Sequence, residues 1–199
     1  MPTYPITLPF APFHVDWEKL DRVGLAESEF TFAQQVQIHQ GDLRTAEFLY
    51  RPMVREDAAQ LVAALESLRG GGTFYLGPTG QEKTPRGIAT GSPQVNGAGQ
   101  TGYTLLTKGW TPGQTGILKA GDWLAFGGQL ARNEADVNSD GGGLATLTLT
   151  TRIHVATTDN ATITVNSPVG TFRLVEPRVS WSVDEVQHQV TRFKAREAI

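Results

Sequence analysis

Only one stretch of the chain has the apolar periodicity of an α-helix. From residue 55 to residue 69, apolar side chains recur at intervals of three or four positions: Ala58, Leu61, Val62, Leu65 and Leu68. Acidic Glu56 and Asp57 near the start suit the helix dipole, and the three glycines at 70–72 predict where the helix ends. One helix of this length covers a single face of a sheet, so the rest of the 199 residues must supply a mostly β fold.

Most other segments are predicted to be short strands, because apolar and polar residues alternate in them and turn residues separate them. The clearest is 30–38, whose apolar residues fall on one face and predict a half-buried strand: Phe30, Phe32, Val36 and Ile38. A turn at 41–42 and a returning strand at 44–50 complete the predicted hairpin. The remaining predicted strands are 3–8, 13–17, 73–76, 103–106, 123–126, 144–150, 161–165, 171–175, 179–183 and 186–190.

A change in composition predicts how the chain is divided. Residues 77–102 are rich in Gly, Pro, Thr and Gln, which is typical of a long connection. Strands return after it with the spacing of a small β-barrel or sandwich. The C-terminal segment is expected to fold back on the N-terminal one, because the first strands are too few to close a sheet alone. The prediction is a discontinuous domain, 1–84 and 176–199, with an inserted β module at 85–175.

The composition excludes several classes of site. The net charge is −3 and basic residues are not clustered, so the chain lacks the basic footprint that DNA phosphates require, and sequence-specific nucleic-acid binding is not expected. The absence of cysteine excludes disulfides and thiolate chemistry. No apolar run approaches the roughly 20 residues of a membrane span, and residues 1–10 do not resemble a signal peptide. The chain is therefore expected to fold in a reducing cytoplasm.

Neither the histidines nor the acidic residues form a recognisable catalytic or metal-binding pattern. No two histidines have the close spacing of a compact zinc site: His14, His39, His154 and His188. The acidic residues on predicted loops are interpreted as solvated charges: Glu82, Asp136, Asp140, Asp159 and Asp184. Residues 136–147 resemble the start of a calcium loop, but Leu147 stands where that loop needs a glutamate. We therefore predict no enzymatic activity, no cofactor and no metal.

The tripeptide Gly121-Asp122-Trp123 has two interpretations. Asp122 could act as a general base beside Trp123 as a stacking platform for a sugar. Alternatively, the segment is a tight turn in which Asp122 bonds local backbone and Trp123 enters the core, and this second interpretation is favoured. Trp110, in the turn-like segment 109–113, is the aromatic residue least expected in the core. Trp110 and Trp123 are the candidates for carbohydrate or subunit contact.

Several stretches together resemble distal tail proteins of long-tailed bacteriophages. Residues 53–77, MVREDAAQLVAALESLRGGGTFYLG, are similar to the helix and following Gly-Thr-Phe strand of that family. Residues 101–149 resemble an inserted module of prophage virion proteins, with a Gly-Asp-Trp strand, an Asp-Gly hairpin and a Thr/Leu strand. GTFRLVEP and the terminal FKAREAI resemble the end of the family. The resemblance covers roughly residues 44–199, and 1–43 match only loosely.

The resemblance implies a tube-like β-sandwich with a flanking helix and an outward-facing added β domain. It also implies a virion protein, assembled in the host cytoplasm, that forms a ring, usually a hexamer, between the tail tube and the tail tip or baseplate. Tube and tip or hub proteins are the implied partners, and the ring leaves a lumen for DNA. No functional residue carries over, because the role is spread over interfaces.

The ring is expected to close through β contacts between two different patches, with segments 1–8 or 192–199 adding strand pairing. Two alternatives remain open. One is another structural subunit of the phage tail or head, and the other is a carbohydrate-binding module for adsorption to the host surface.

Overall fold

The computed structural model describes residues 3–183 and 189–198. In chain order these residues form β1 (Ile6–Thr7), β2 (His14–Glu27), β3 (Gln34–Leu49), α1 (Arg55–Ser67), β4 (Phe74–Leu76), β5 (Gly91–Val95), β6 (Gly102–Trp110), β7 (Trp123–Phe126), β8 (Gln129–Arg132), β9 (Ala145–Ile153), β10 (Gly170–Leu174), β11 (Trp181–Val183) and β12 (Gln189–Glu197). A short 3-10 helix, Gly80–Lys83, lies between β4 and β5. The prediction of a mostly β fold with one helix is confirmed.

The larger sheet joins strands from the two ends of the chain. Its order is β1-β4-β10-β12-β3-β2, and β11 pairs with the other end of β12. All of these pairs are antiparallel except β1 with β4. β12 lies between β10 and β3, so both of its edges are already paired within the chain. Strand pairing by 1–8 or 192–199 with a neighbouring subunit stays a prediction, although these internal pairs occupy the edges of β12 along the described residues.

The inward face of the larger sheet forms the first apolar core. Side chains alternate across a strand, so Ala46 and Phe48 of β3 point inward together with Phe193 and Ala195 of β12. The leucines of the helix pack onto this face: Leu61, Leu65 and Leu68. The outward face is polar, and Glu47 there lies 2.8 Å from Arg192. The sheet is thus covered on one side and solvated on the other, as antiparallel sheets commonly are.

The helix begins and ends as its sequence predicts. Its apolar positions 58, 61, 62 and 65 are the buried ones. The carbonyl of Leu68 accepts hydrogen bonds from the amides of Gly71 and Gly72, at 3.1 and 2.7 Å. Gly70 has a φ of +74°, and a Cβ there would lie 2.8 Å from Cβ of Pro177. A glycine is needed at this position for both its backbone conformation and its close contact.

The inserted strands build two smaller sheets around a second core. β5, β6 and β9 form one antiparallel sheet, and β7 and β8 form a hairpin. The second core is drawn from all five strands and includes Val95, Leu105, Leu124, Ala131 and Leu147. Three buried residues on the other face of the hairpin enter the first core: Trp123, Ala125 and Leu130. The inserted module is therefore packed against the larger sheet by a shared apolar cluster.

Several boundaries differ from those predicted. Residues 171–175 were assigned to the inserted module, but β10 pairs with β4 and β12, so this strand belongs to the larger sheet. Residues 161–165 form only single bridges, at Thr162 and Thr164. The connection 77–102 contains β5, which was not predicted because this segment has few large apolar residues. Most of the predicted strand 186–190 lies outside the described residues.

The first hairpin also differs, and this difference matters most. Residues 30–38 were predicted to be a half-buried strand that turns at 41–42. In the structure β2 and β3 are long, the chain turns between them at 28–33, and β3 continues through Gly41 and Asp42. The four apolar residues of the predicted face are all exposed: Phe30, Phe32, Val36 and Ile38. Their alternation was real, but nothing in the described part of the chain covers them.

Two phenylalanines of this hairpin, one buried and one exposed, allow a matched test of its placement. Phe48→Ala should lower the free energy of unfolding by about 3–5 kcal/mol, because it empties a fully buried site in the first core. Phe30→Ala should change it by less than about 0.5 kcal/mol, because that ring is exposed. Urea unfolding at a concentration where the chain is monomeric measures both. Equal effects would contradict the placement of this hairpin.

Candidate functional site

The distal half of the β2–β3 hairpin projects from the molecule as an arm. We define the arm as residues 22–41, in which every residue is exposed or half buried. At its base Asp21 pairs with Asp42, and beyond a register shift Val23 pairs with Ile38. We call this base, with its register shift, the root of the arm. An isolated two-stranded ribbon is marginally stable in water, so such an arm normally needs a covering surface.

One face of the arm is apolar and the other is polar. Val23 pairs with Ile38 and Leu25 with Val36, so these four side chains share a face, and each is between 49% and 78% exposed. The opposite face has the pairs Gly24 with Gln37 and Ala26 with Gln35. At the tip, Phe30 is 92% exposed and Phe32 is 76% exposed. The arm therefore has the side-chain pattern of a strand pair that is covered on one side.

The apolar face of the arm lies beyond the inward face of the larger sheet, on the same hairpin. Along β2, Val15 and Trp17 pack against the first core. Val23 and Leu25 follow at even spacing, but a register shift between Asp21 and Val23 interrupts the alternation. The ion pair of Lys19 with Asp21 also separates the two apolar groups.

The arm also lies beside a free sheet edge. In the described part of the chain β2 pairs only with β3, so its other edge of 14 residues is open. An open strand of this length can pair with a strand of another chain. Together, the apolar face of the arm and the edge of β2 form a continuous candidate surface for protein contact.

Trp110, one of the two predicted contact residues, is buried in the second core. It is 3% exposed, and its Nε1 donates a hydrogen bond of 2.8 Å to Oγ1 of Thr107. The ring therefore presents no open face to a sugar or to a second subunit. Its turn-like surroundings had favoured an exposed position.

Trp123, the other predicted contact residue, is 2% exposed and lies between the two parts of the molecule. Its ring lies 4.8 Å from that of Trp17, and Nε1 donates to Oε2 of Glu82 at 3.2 Å. The guanidinium groups of Arg44 and Arg132 lie 4.7 and 5.0 Å from its ring centroid. These contacts occupy the ring surface, which leaves no stacking platform for a sugar.

Asp122 joins the inserted module to the connection that leads into it. One carboxylate oxygen accepts from the amide and Nε of Arg86, at 3.0 and 3.3 Å. The other accepts from the amides of Gly87 and Lys119, at 3.0 and 2.8 Å. A buried carboxylate that accepts these bonds is fully engaged in structure, which agrees with the favoured interpretation of a turn.

Two of the predicted loop carboxylates form surface ion pairs. Asp136 accepts a hydrogen bond from Lys119 at 2.9 Å, and this bond lowers the pKa of its carboxyl. Asp159 accepts from the amide of Gly97 at 2.8 Å and from Lys108 at 3.2 Å, and these bonds lower the pKa of Asp159. Both carboxylates are thus ionised, solvated and held by local donors.

The segment that resembles a calcium loop is closed by its own backbone. Oδ1 of Asp140 accepts from the amides of Gly142 and Leu144, each at 2.8 Å. Among the described residues no three His, Asp or Glu side chains are placed to hold a metal ion. Asp184 and His188 lie outside the described residues. Within the same described ranges, no helix is long and apolar enough to cross a bilayer.

The other three histidines have different surroundings. His14 forms an exposed pair with Asp16 at 3.0 Å, and His39 is exposed on the arm. His154 is largely buried: its side chain is only 14% exposed and lies 3.2 Å from Asp42. This buried pair joins the inserted module to β3.

A second charged group crosses the same junction. Arg44 of β3 donates to Oγ1 of Thr150 at 2.7 Å, and its amide donates to Glu197 at 3.2 Å. Burial lowers the pKa of Arg44 to about 10, and burial raises the pKa of Glu197. Charged groups in such a dry junction need specific partners, so the inserted module has a defined position on the sheet.

The sequence was compared with known proteins. No protein-family model and no curated protein matches the chain. The candidate surface must therefore be interpreted from its own geometry.

The Asp122 contacts predict a large difference between two aspartates. Asp122→Ala should lower the free energy of unfolding by at least about 3 kcal/mol, because several buried donors lose their acceptor. Asp136→Ala should cost less than about 1 kcal/mol, because its ion pair is exposed. Thermal and urea unfolding of the two variants provide the comparison. A small effect of Asp122→Ala would show that the connection is not held by this carboxylate.

The burial of Glu197 predicts that the free energy of unfolding depends on pH. Because burial raises its pKa above the ordinary 4.5, the folded chain binds this proton more tightly than the unfolded chain does. The resulting stability is present below the unfolded-state pKa and is lost as the pH rises through the folded-state pKa. The Glu197→Gln variant cannot lose stability in this way. Its free energy of unfolding minus that of the wild type should therefore increase from about pH 4 to about pH 7. Urea titrations check this, with the exposed Glu176→Gln as the control expected to show no such trend.

Proposed function

We propose that the chain is a structural virion protein that closes with copies of itself into a ring in the tail of a long-tailed phage. The uncovered apolar face of the arm, beside the open edge of β2, is the observation that carries this proposal. The resemblance to distal tail proteins supports a ring of six between tail tube and tail tip, with tube and tip proteins as its partners. This role requires contact surfaces and no catalytic group.

The apolar side chains of the arm would supply much of the free energy of association. Full burial of one Val, Leu or Ile side chain contributes about 1.5–3 kcal/mol. Val23, Leu25, Val36 and Ile38 are spaced to be covered together, so one contact would bury all four. Pairing at the β2 edge would add backbone hydrogen bonds to the same contact.

The geometry favours contact between two different patches. The arm projects from one side of its own subunit, and in the proposed ring it covers a surface of the neighbour other than the neighbour's arm. Such head-to-tail contacts give a ring when the rotation between subunits closes, and a filament when it does not. In a ring each subunit would extend its own arm onto one neighbour and cover the arm of the other neighbour.

Charge on the apolar face should block assembly without unfolding the subunit. The double variant Leu25→Lys and Ile38→Lys should weaken self-association at least about 100-fold, since two apolar contacts are replaced by charges that must stay hydrated. Its matched control is Gln35→Lys with Gln37→Lys, which adds the same charge to the other face of the same arm. Sedimentation velocity measures association, and circular dichroism checks the fold.

Electron microscopy separates the proposal from its rivals. Single-layered rings of the wild type, lost in the Leu25 and Ile38 variant and kept in the Gln35 and Gln37 control, are the expected result. Long cylinders would indicate a tube subunit. A wild type that remains monomeric at all concentrations would contradict the proposed use of the apolar face. So would a Gln35 and Gln37 control that fails to assemble.

A further inference from the structure

We propose that the inserted module braces the root of the arm, so that its docking on the larger sheet sets the direction in which the arm projects. The contact responsible joins Asp42 of β3 to residues 152–154 at the end of β9. This brace lies within a single subunit and does not depend on the proposed ring.

Asp42 is placed where the arm leaves the sheet. It pairs with Asp21 in the last register position before the shift that begins the arm. Its side chain is 2% exposed, although the residues that follow the shift are exposed. The carboxylate is therefore the last buried side chain of β3 on the way from the sheet to the arm.

Both oxygens of Asp42 face the inserted module. Oδ2 accepts a hydrogen bond of 2.9 Å from the amide of Arg152. Oδ1 lies 3.2 Å from Nε2 of His154, and among the described residues neither atom has a well-aligned hydrogen-bond partner. The distance is that of an ion pair, while the angle misses hydrogen-bond geometry, so we treat the contact as chiefly electrostatic. Attraction requires a proton on Nε2, because a carboxylate oxygen only accepts.

The module side of this contact is itself held firmly. Oε1 of Gln129, in β8, accepts from the amides of His154 and Val155 at 2.8 and 3.1 Å. Its Nε2 donates to the carbonyl of Val155 at 2.9 Å. The segment that contacts Asp42 is thus tied to the β7–β8 hairpin, whose other residues enter the first core.

The arm depends on its root because, within residues 3–183 and 189–198, neither of its faces packs against the rest of the subunit. A two-stranded ribbon resists bending weakly, and a register shift is a natural place for it to bend. Two residues nearer the sheet, Arg44 makes a parallel contact with Thr150. Successive inward side chains of β3 therefore both reach the inserted module, which fixes the strand up to the shift.

The absence of cysteine allows a direct test in the full chain. Cysteines at Thr31 in the arm tip and at Thr148 on the exposed side of β9 would carry spin labels for pulsed distance measurement. The labelled chain carries Leu25→Lys and Ile38→Lys as well, so that assembly does not affect the distance. Asp42→Asn and His154→Ala should each broaden the distance distribution by about twofold or more, because the root loses its brace.

Two comparisons make the test specific. His14→Ala removes a histidine from an exposed pair with Asp16 on the same hairpin, and should leave the distribution unchanged. The double variant of Asp42 and His154 should be no broader than either single variant, because both remove the same contact.

Unchanged distributions in the Asp42 and His154 variants, or additive broadening, would overturn the proposal. If either variant fails to fold, His154→Leu decides in the same way, since it keeps a side chain of similar size but has no donor for Asp42. Broadening in His154→Leu supports the brace, and an unchanged distribution overturns it.

Discussion

The inward face of the larger sheet has to be kept from water along its whole length, and this requirement organises the molecule. The helix covers part of it with Leu61, Leu65 and Leu68, and the hairpin of the inserted module covers another part with Trp123 and Leu130. The two cores are consequently joined, and the inserted module is a necessary part of the fold of the sheet. Beyond the register shift, the apolar face of the arm has no cover from the described part of the chain, and in the proposed ring a neighbouring subunit would cover it.

The sequence predicted the elements whose formation is decided locally. The helix and its glycine end follow from apolar spacing and backbone conformation alone. The turn at Asp122 was predicted because a short acidic side chain beside a glycine commonly bonds neighbouring amides. Its further bonds to Arg86 and Gly87 come from a distant segment, so they could not be predicted. The buried position of Trp110 likewise depends on the strands that surround it.

The errors concern partners that are distant in sequence. Alternation at 30–38 indicates that one face is apolar, but it does not say which chain will cover that face. Residues 191–197 of β12 were not among the predicted strands of the subunit because their charges hide the alternation: Phe193 and Ala195 point inward, while Arg192 and Lys194 point outward. Glu197 breaks the apolar pattern on the inward side, where the amide of Arg44 is its partner. No local rule identifies such a buried carboxylate.

The buried charges at the module junction are better understood as fixing geometry than as adding stability. Transferring Asp42, Arg44 and Glu197 from water is costly, and the attraction between partners largely offsets that cost without exceeding it. An apolar junction of the same shape could be equally stable, but it would tolerate small rotations of the module. Charged groups with directed partners tolerate them less, because a rotation leaves a buried charge unpaired.

This restriction on rotation bears on ring closure. A head-to-tail contact closes only when each subunit meets the next at the same fixed angle, and small errors accumulate around the ring. If the arm supplies that contact, its direction relative to the rest of the subunit becomes part of the angle. A compliant arm would permit open chains and rings of several sizes, whereas an arm held at Asp42 by a docked module would favour one. The apolar face explains why subunits would associate, and the charged junction explains how the association would stop at a closed ring.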